Sequence, residues 1–210
     1  MLIPTARTML LTAALLLVGA PIAAAPATAA VGAPAPAFTA TDTSGRQVSL
    51  ASFKGRHVVL EWVNPGCPFV RKHYDAQNMQ GTQKSAAAQG VVWLAVNSTS
   101  ADHGDYLPPA KMAAWMKQQG AAADATLMDE SGKIGRAYGA RTTPHMYLID
   151  PQGVLLYAGA IDSKPTANPA DIAGATNHVR QALDEALAGR PLSIATTRAY
   201  GCTIKYAEPG

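Results

Sequence analysis

Cys67 and Cys202 are the only two cysteines in the 210-residue sequence, and their settings differ. Cys67 stands in Val58-Val59-Leu60-Glu61-Trp62-Val63-Asn64-Pro65-Gly66-Cys67-Pro68-Phe69-Val70. An apolar, β-branched run ends in a Pro-Gly break, the thiol follows, and Pro68 is a residue tolerated in a first helical turn. Strand, tight turn and helix start in that order put one sulfur at a helix N-terminus, where the peptide dipoles favour a thiolate, the form of cysteine that does chemistry. A purely structural cysteine does not need that frame. Cys202 lies far away, in Tyr200-Gly201-Cys202-Thr203-Ile204-Lys205.

The elements that must position these thiols can be read from periodicity and punctuation. Residues 1–30 are expected to be a secretory leader: Arg7 supplies the positive start, Met9 to Val18 is apolar apart from Thr12, and Ala/Pro/Thr-rich sequence follows. Cleavage is expected after Ala29 or Ala30, giving a periplasmic or secreted protein in an oxidising compartment where thiols exchange or pair. Loss of Arg7 takes the formal charge from +3 to +2, an excess that gives no reason to invoke nucleic acid or a membrane surface.

The mature chain reads as one domain, residues 31–191, followed by a flexible tail, 192–210, that carries Cys202. Val58 to Val63 is the first firm strand. A helix is expected from Pro68 through Tyr74, Met79 and Lys84 to Gly90, then a strand over Val91–Val96 and a helix from Pro108-Pro109 to Gln119. Short elements follow at Leu127–Asp129 and Ile134–Tyr138. His145–Ile149 and Val154–Ala160 form a strand pair across Pro151-Gln152-Gly153, and a last helix starts at Asn168-Pro169-Ala170-Asp171 and ends at Gly189. This order predicts an α/β fold with a central mixed β-sheet flanked by helices.

With those elements placed, the pattern resembles the thioredoxin-like superfamily, and within it the peroxiredoxin-like (AhpC/TSA, redoxin) branch, over about residues 31–190. Cys67-Pro68-Phe69-Val70 sits where that family has Cys-x-x-Cys, with Val70 in place of the second thiol. Glu61 falls where thioredoxins carry a buried proton-shuttling acid, and alternation puts it on the face opposite Leu60 and Trp62. Thr142-Thr143-Pro144 is similar to the loop whose cis-proline packs against the active-site sulfur. The resemblance implies a thioredoxin-like fold, Cys67 as nucleophile, Glu61 as proton-handling group and Thr143-Pro144 as the loop that docks a partner thiol. Pro68 and His145, flanking Cys67 and Pro144, are the further substrate-contacting positions.

Two departures shape the expected function. With Val70 in the motif, Cys67 must form a mixed disulfide, pair with Cys202, or remain a single thiol. Pairing has two readings: Cys202 resolves mixed disulfides, or the two form a permanent staple worth roughly 4–5 kcal/mol in the chain-entropy model. Second, peroxiredoxins resemble Pro-x-x-x-Thr-x-x-Cys, and here Leu60 and Asn64 hold the proline and threonine positions.

The leading expectation is therefore a thiol–disulfide oxidoreductase acting on protein or small-molecule thiols and disulfides, without a cofactor. A thiol peroxidase acting on hydrogen peroxide is the alternative, and a metal-binding or structural module the third reading. The five histidines show no pair at helical metal-ligand spacing, and no metal is assigned.

Overall fold

The computed structural model describes residues 28–208; the expected leader lies outside them except for its last three residues. The sheet is built around β3 (Val58–Trp62), whose five residues are all buried. Burial on both faces is what a continuous apolar run at the centre of a sheet covered on both sides leads to. β3 pairs in parallel with β4 (Val92–Asn97) and antiparallel with β7 (His145–Ile149). β5 (Ala125–Met128) continues the parallel set beyond β4. The hairpin of β1 (Thr39–Asp42) and β2 (Gln47–Ser49) joins its outer side, and β8 (Leu155–Gly159) flanks β7, all antiparallel.

Alternation along these strands divides the core in two. Val59, Val63, Trp93, Ala95, Met146 and Leu148 face a layer made by α1 (Pro68–Asp75), α2 (Asn78–Ala88), α3 (Pro109–Gln118) and α5 (His178–Leu187), through Val70, Tyr74, Met79, Met112, Val179 and Leu183. Leu60, Trp62, Leu94, Val96, Tyr147 and Ile149 face the other way, under Phe38, Ile204 and Ile134 and Tyr138 of α4 (Lys133–Tyr138). The result is the expected α/β, thioredoxin-like architecture: a mixed central sheet with helices on both faces.

Three elements differ from their sequence expectations. The helix after Cys67 is two helices, because Gln77 adopts a left-handed conformation (φ 59°) between α1 and α2. The Gln80 side chain compensates by donating to the Tyr74 carbonyl at 2.9 Å. The last helix begins later than Asn168, which caps only a 3₁₀ turn over Pro169–Gly174; Asn177 caps α5 by accepting from Arg180 N at 3.0 Å. Two adjacent Asx caps compete for one apolar period, and the second one starts the α-helix.

The third difference decides the site. The segment after Gly189 is not a loose tail but a strap fastened along the domain. Thr197 Oγ1 accepts from Ala160 N at 2.8 Å, Tyr200 donates to Asp162, Ile204 N donates to Arg141 O at 3.0 Å, and Tyr206 donates to Ala140 O at 2.8 Å. Between these anchors β9 (Cys202–Thr203) forms an antiparallel ladder with β6 (Thr142–Thr143). Among the described residues no helix is long and apolar enough to cross a membrane.

Candidate active site

Cys67 is the N-cap residue of α1, with extended backbone (φ −83°, ψ 119°) and Pro68 in the first turn. The approach is made by Asn64, whose side-chain oxygen accepts from Gly66 N at 2.7 Å while its carbonyl accepts from Cys67 N at 3.0 Å. The Pro65-Gly66 break is thereby closed into a turn that delivers the thiol to the helix start. Pro68 itself is exposed beside it.

The Cys67 thiol is 2% exposed and donates to the Thr143 carbonyl at 3.0 Å. The Thr143–Pro144 peptide is cis. Thr143 is in turn the ladder partner of Cys202, so the strap sets its cysteine directly over the loop that touches Cys67. Both cysteines are free thiols, and Cys202 packs against the core cluster that contains Cys67. Burial pushes the Cys202 thiol up to about 12, and the Cys67 sulfur adds to the rise; Lys205 opposes it and Asp105 reinforces it.

Gly201 makes this approach feasible. Its φ is +135°, and a β-carbon there would overlap the Thr143 carbonyl, the same group that accepts from Cys67.

Glu61 faces opposite Leu60 and Trp62, as alternation expects; the structure puts that face on the Cys67 side of the sheet and buries Glu61 fully. Tyr74 donates to its Oε1 at 2.8 Å; Trp93 and Gln83 donate to Oε2 at 2.8 and 3.1 Å. Both carboxyl oxygens are therefore engaged, and among the described residues Glu61 hydrogen-bonds neither thiol. Burial raises its pKa from 4.5 to about 7, against the lowering effect of the three donors. The folded chain thus binds this proton more tightly than the unfolded one. Its stabilisation is complete below about pH 4.5 and is lost as pH rises to about 7, by roughly 1.4 kcal/mol per pH unit.

His73 and His145, whose pKa values burial lowers to about 4, act in the opposite sense below pH 6.5. The clean measurement is therefore a difference. Denaturant unfolding of wild type and Glu61→Gln from pH 4.5 to 7.5 is expected to show the wild type losing about 3 kcal/mol relative to the variant. Parallel stability curves would remove Glu61 as the source of the slope.

His145 does not join the thiols. It pairs with Trp62, stacks on Tyr147 at 4.6 Å, and so belongs to the sheet face opposite Cys67. Adjacent strand residues point to opposite faces, so the position after Pro144 turns away from the sulfur. Among the described residues no group of three metal-ligating side chains is assembled.

The sequence reading missed a buried polar cluster that joins α1 to the strap. Lys72 and Asp162, both buried, pair at 3.3 Å, and Lys72 also donates to Lys164 O at 2.8 Å. Tyr200 donates to Asp162 and lies 3.2 Å from His73 Nε2. Removing either partner of the Lys72–Asp162 pair leaves a buried charge uncompensated, a loss of about 3–5 kcal/mol. Nothing local in the sequence marks Asp162 or Tyr200 as partners.

A hypothetical protein from Sinorhizobium meliloti 1021 is 26% identical over 87% of this chain and 97% of its own, with a TM-score of 0.73. An uncharacterized conserved protein from Geobacillus kaustophilus is 26% identical over 86% and 94%, with a TM-score of 0.75. The thioredoxin domain of a thiol-disulfide oxidoreductase from Bacteroides vulgatus is 26% identical over 62% of this chain and 89% of that one, with a TM-score of 0.50. No curated protein matches. The sequence profile of the AhpC/TSA family matches residues 31–158, a span that runs from the lead-in to β1 into β8 and includes Cys67 and the cis-proline loop. More than half of the chain lies within that one profile: the protein belongs to the AhpC/TSA family.

Proposed function

We propose that the protein is a thiol–disulfide oxidoreductase that works after export, with Cys67 as nucleophile and Cys202 as the thiol that resolves its mixed disulfide. The observation that carries this reading is the placement of Cys202 opposite Thr143, whose carbonyl receives the Cys67 thiol. Similarity to the thiol-disulfide oxidoreductase domain from Bacteroides vulgatus supports the same chemistry, and the leader-like residues 1–30 support export.

In the reducing direction the Cys67 thiolate attacks a partner disulfide R–S–S–R′, forming Cys67–S–S–R and releasing R′–S⁻. The Cys202 thiol then gives up its proton as it attacks the Cys67 sulfur, closing Cys67–Cys202 and expelling the R sulfur, which takes up a proton and leaves as R–SH. The partner gains two electrons and the protein dithiol is oxidised by two. The same steps run backward to oxidise a partner dithiol. Cys67 is covered by the strap in the closed form, so an incoming partner reaches it when β9 lifts from β6. The docking loop Thr143-Pro144 and the exposed Pro68 then border the uncovered sulfur.

The test is thiol-trapping mass spectrometry of the protein across graded glutathione buffers. A Cys67–Cys202 disulfide that forms and is reduced reversibly is expected. Quantitative formation with resistance to strong reductant would mark an inert staple, and failure to form would separate the two thiols. Because Leu60 and Asn64 replace the peroxide-orienting frame and Asn64 is engaged in the turn before Cys67, reduced protein is expected to consume hydrogen peroxide no faster than an ordinary free thiol in stopped flow. A faster reaction would favour the peroxidase alternative.

A further inference from the structure

Disulfide closure demands narrow geometry: a sulfur–sulfur bond of about 2.05 Å forms only when the two α-carbons lie roughly 4.4–6.8 Å apart. The ladder that sets Cys202 here is two residues long on each side, and a ladder that short does not hold its own register. Gly201, next to the thiol, has no side chain with which to pack. The strap must therefore be located by something beside the ladder, and the cluster between α1 and Tyr200 is a group of buried polar side chains that reaches the strap two residues before Cys202.

Its wiring allows a single assignment of donors and acceptors. An ionised carboxylate only accepts, so the Tyr200 proton goes to Asp162 Oδ1, which also accepts from Lys164 N at 2.9 Å. Asp162 Oδ2 accepts from Lys72 Nζ at 3.3 Å. With its proton committed, the Tyr200 oxygen accepts from His73 Nε2 at 3.2 Å. His73 Nδ1 then accepts from Asn78 Nδ2 at 2.8 Å. The chain runs from Asn78 in α2, through α1, to the strap. Phe69 completes the seat edge-on to the Tyr200 ring, with centroids 5.9 Å apart. Cys67 caps the same helix α1 that carries Phe69, Lys72 and His73. Both thiols are thus referred to one carboxylate, Cys67 through its helix and Cys202 through Tyr200.

We propose that Tyr200 is a positioning residue of the Cys67–Cys202 pair: its hydroxyl, held between Asp162 and His73, locates the strap so that the Cys202 sulfur meets Cys67. This rests on the exchange reading above and adds to it the device that sets the effective concentration of the second thiol.

The experiment compares wild type, Tyr200→Phe and Tyr138→Phe. Tyr138 is a control of the same chemistry: its hydroxyl donates to Pro36 O at 2.8 Å, on the sheet face away from the thiols. Two quantities are read, the redox potential of the Cys67–Cys202 couple in glutathione buffers and the rate at which a glutathione mixed disulfide on Cys67 collapses. Tyr200→Phe is expected to lower the disulfide equilibrium constant about tenfold, moving the potential about 30 mV less negative, and to slow collapse by a similar factor. Tyr138→Phe is expected to lower thermal stability with neither redox quantity changed.

Asn78→Ala supplies an independent arm away from the strap. Without the Asn78 donor, the His73 proton is free to move to Nδ1, leaving Nε2 unable to support Tyr200, and a smaller shift of the same sign is expected. If wild type cycles reversibly but Tyr200→Phe matches it in both potential and collapse rate, the positioning role is overturned while the exchange reading stands. If wild type forms no reversible disulfide, the exchange reading fails first and this proposal falls with it.

Discussion

Replacing Cys202 by serine is expected to stop the protein after its first chemical step, with the partner covalently attached to Cys67. In the proposed reaction the attack that frees the partner is intramolecular, made by the strap thiol that is paired opposite Thr143. Even a loosely tethered group competes at millimolar effective concentration. Against micromolar external thiol, losing it lowers turnover on the order of 10³-fold. Cys202→Ser should therefore accumulate a stoichiometric adduct, visible as a mass increase that maps to Cys67 and disappears with reductant. Cys67→Ser should accumulate none. An adduct that maps to Cys202 in Cys67→Ser at the wild-type rate would assign the first attack to the other sulfur. Unchanged turnover in Cys202→Ser would leave the strap thiol without a catalytic part.

The second large effect is expected at a residue with no reactive group. Gly201→Ala adds a methyl that overlaps the Thr143 carbonyl, at a φ of +135° that L side chains rarely adopt. Backbone strain of this kind is worth about 1–3 kcal/mol, small enough for a domain of ordinary stability to survive. It is released when β9 lifts from β6, so it should raise the open population by roughly 5- to 150-fold. Cys67, 2% exposed in the closed form, should then be alkylated faster by a similar factor, read by peptide mapping after timed iodoacetamide pulses. Gly153→Ala is the matched control: its φ is +88°, and nothing lies within 4 Å of the added carbon. Equal Cys67 labelling in both variants and wild type would show that the strap does not govern access to the sulfur.

The two substitutions separate functions that the closed structure superimposes. One removes the resolving sulfur and leaves its cover in place; the other leaves the sulfur and disturbs its seat. A protein in which Cys202 were only half of a structural staple would lose stability in the first and show no trapped partner.

Much of this site can be read locally. The β-branched run, the Asn-Pro-Gly turn and Pro68 place Cys67 at a helix start because turn and cap chemistry act over a few residues. Strand alternation puts Glu61 opposite Leu60 and Trp62, and the structure has it on the Cys67 side among Tyr74, Gln83 and Trp93. The same alternation, applied across Pro144, would have turned His145 away from the thiols; adjacency in sequence was a poorer guide than the two-residue period. The single helix expected from Pro68 to Gly90 fails at Gln77, where a side chain from the next helix adds a donor to the Tyr74 carbonyl, a contact no local pattern announces.

Local chemistry is enough for the strand–turn–helix that presents Cys67, the proline loop that meets it, and the mixed sheet between. These follow from periodicity, turn residues and caps, all short-range. Long-range closure makes the C-terminal segment a strap, sets Cys202 opposite Thr143, and joins Lys72, His73, Asp162 and Tyr200 in one network. Those contacts join residues dozens of positions apart. Each polar member is tolerated in the interior because partners from elsewhere in the chain satisfy its hydrogen bonds, and that satisfaction exists only once the chain has closed.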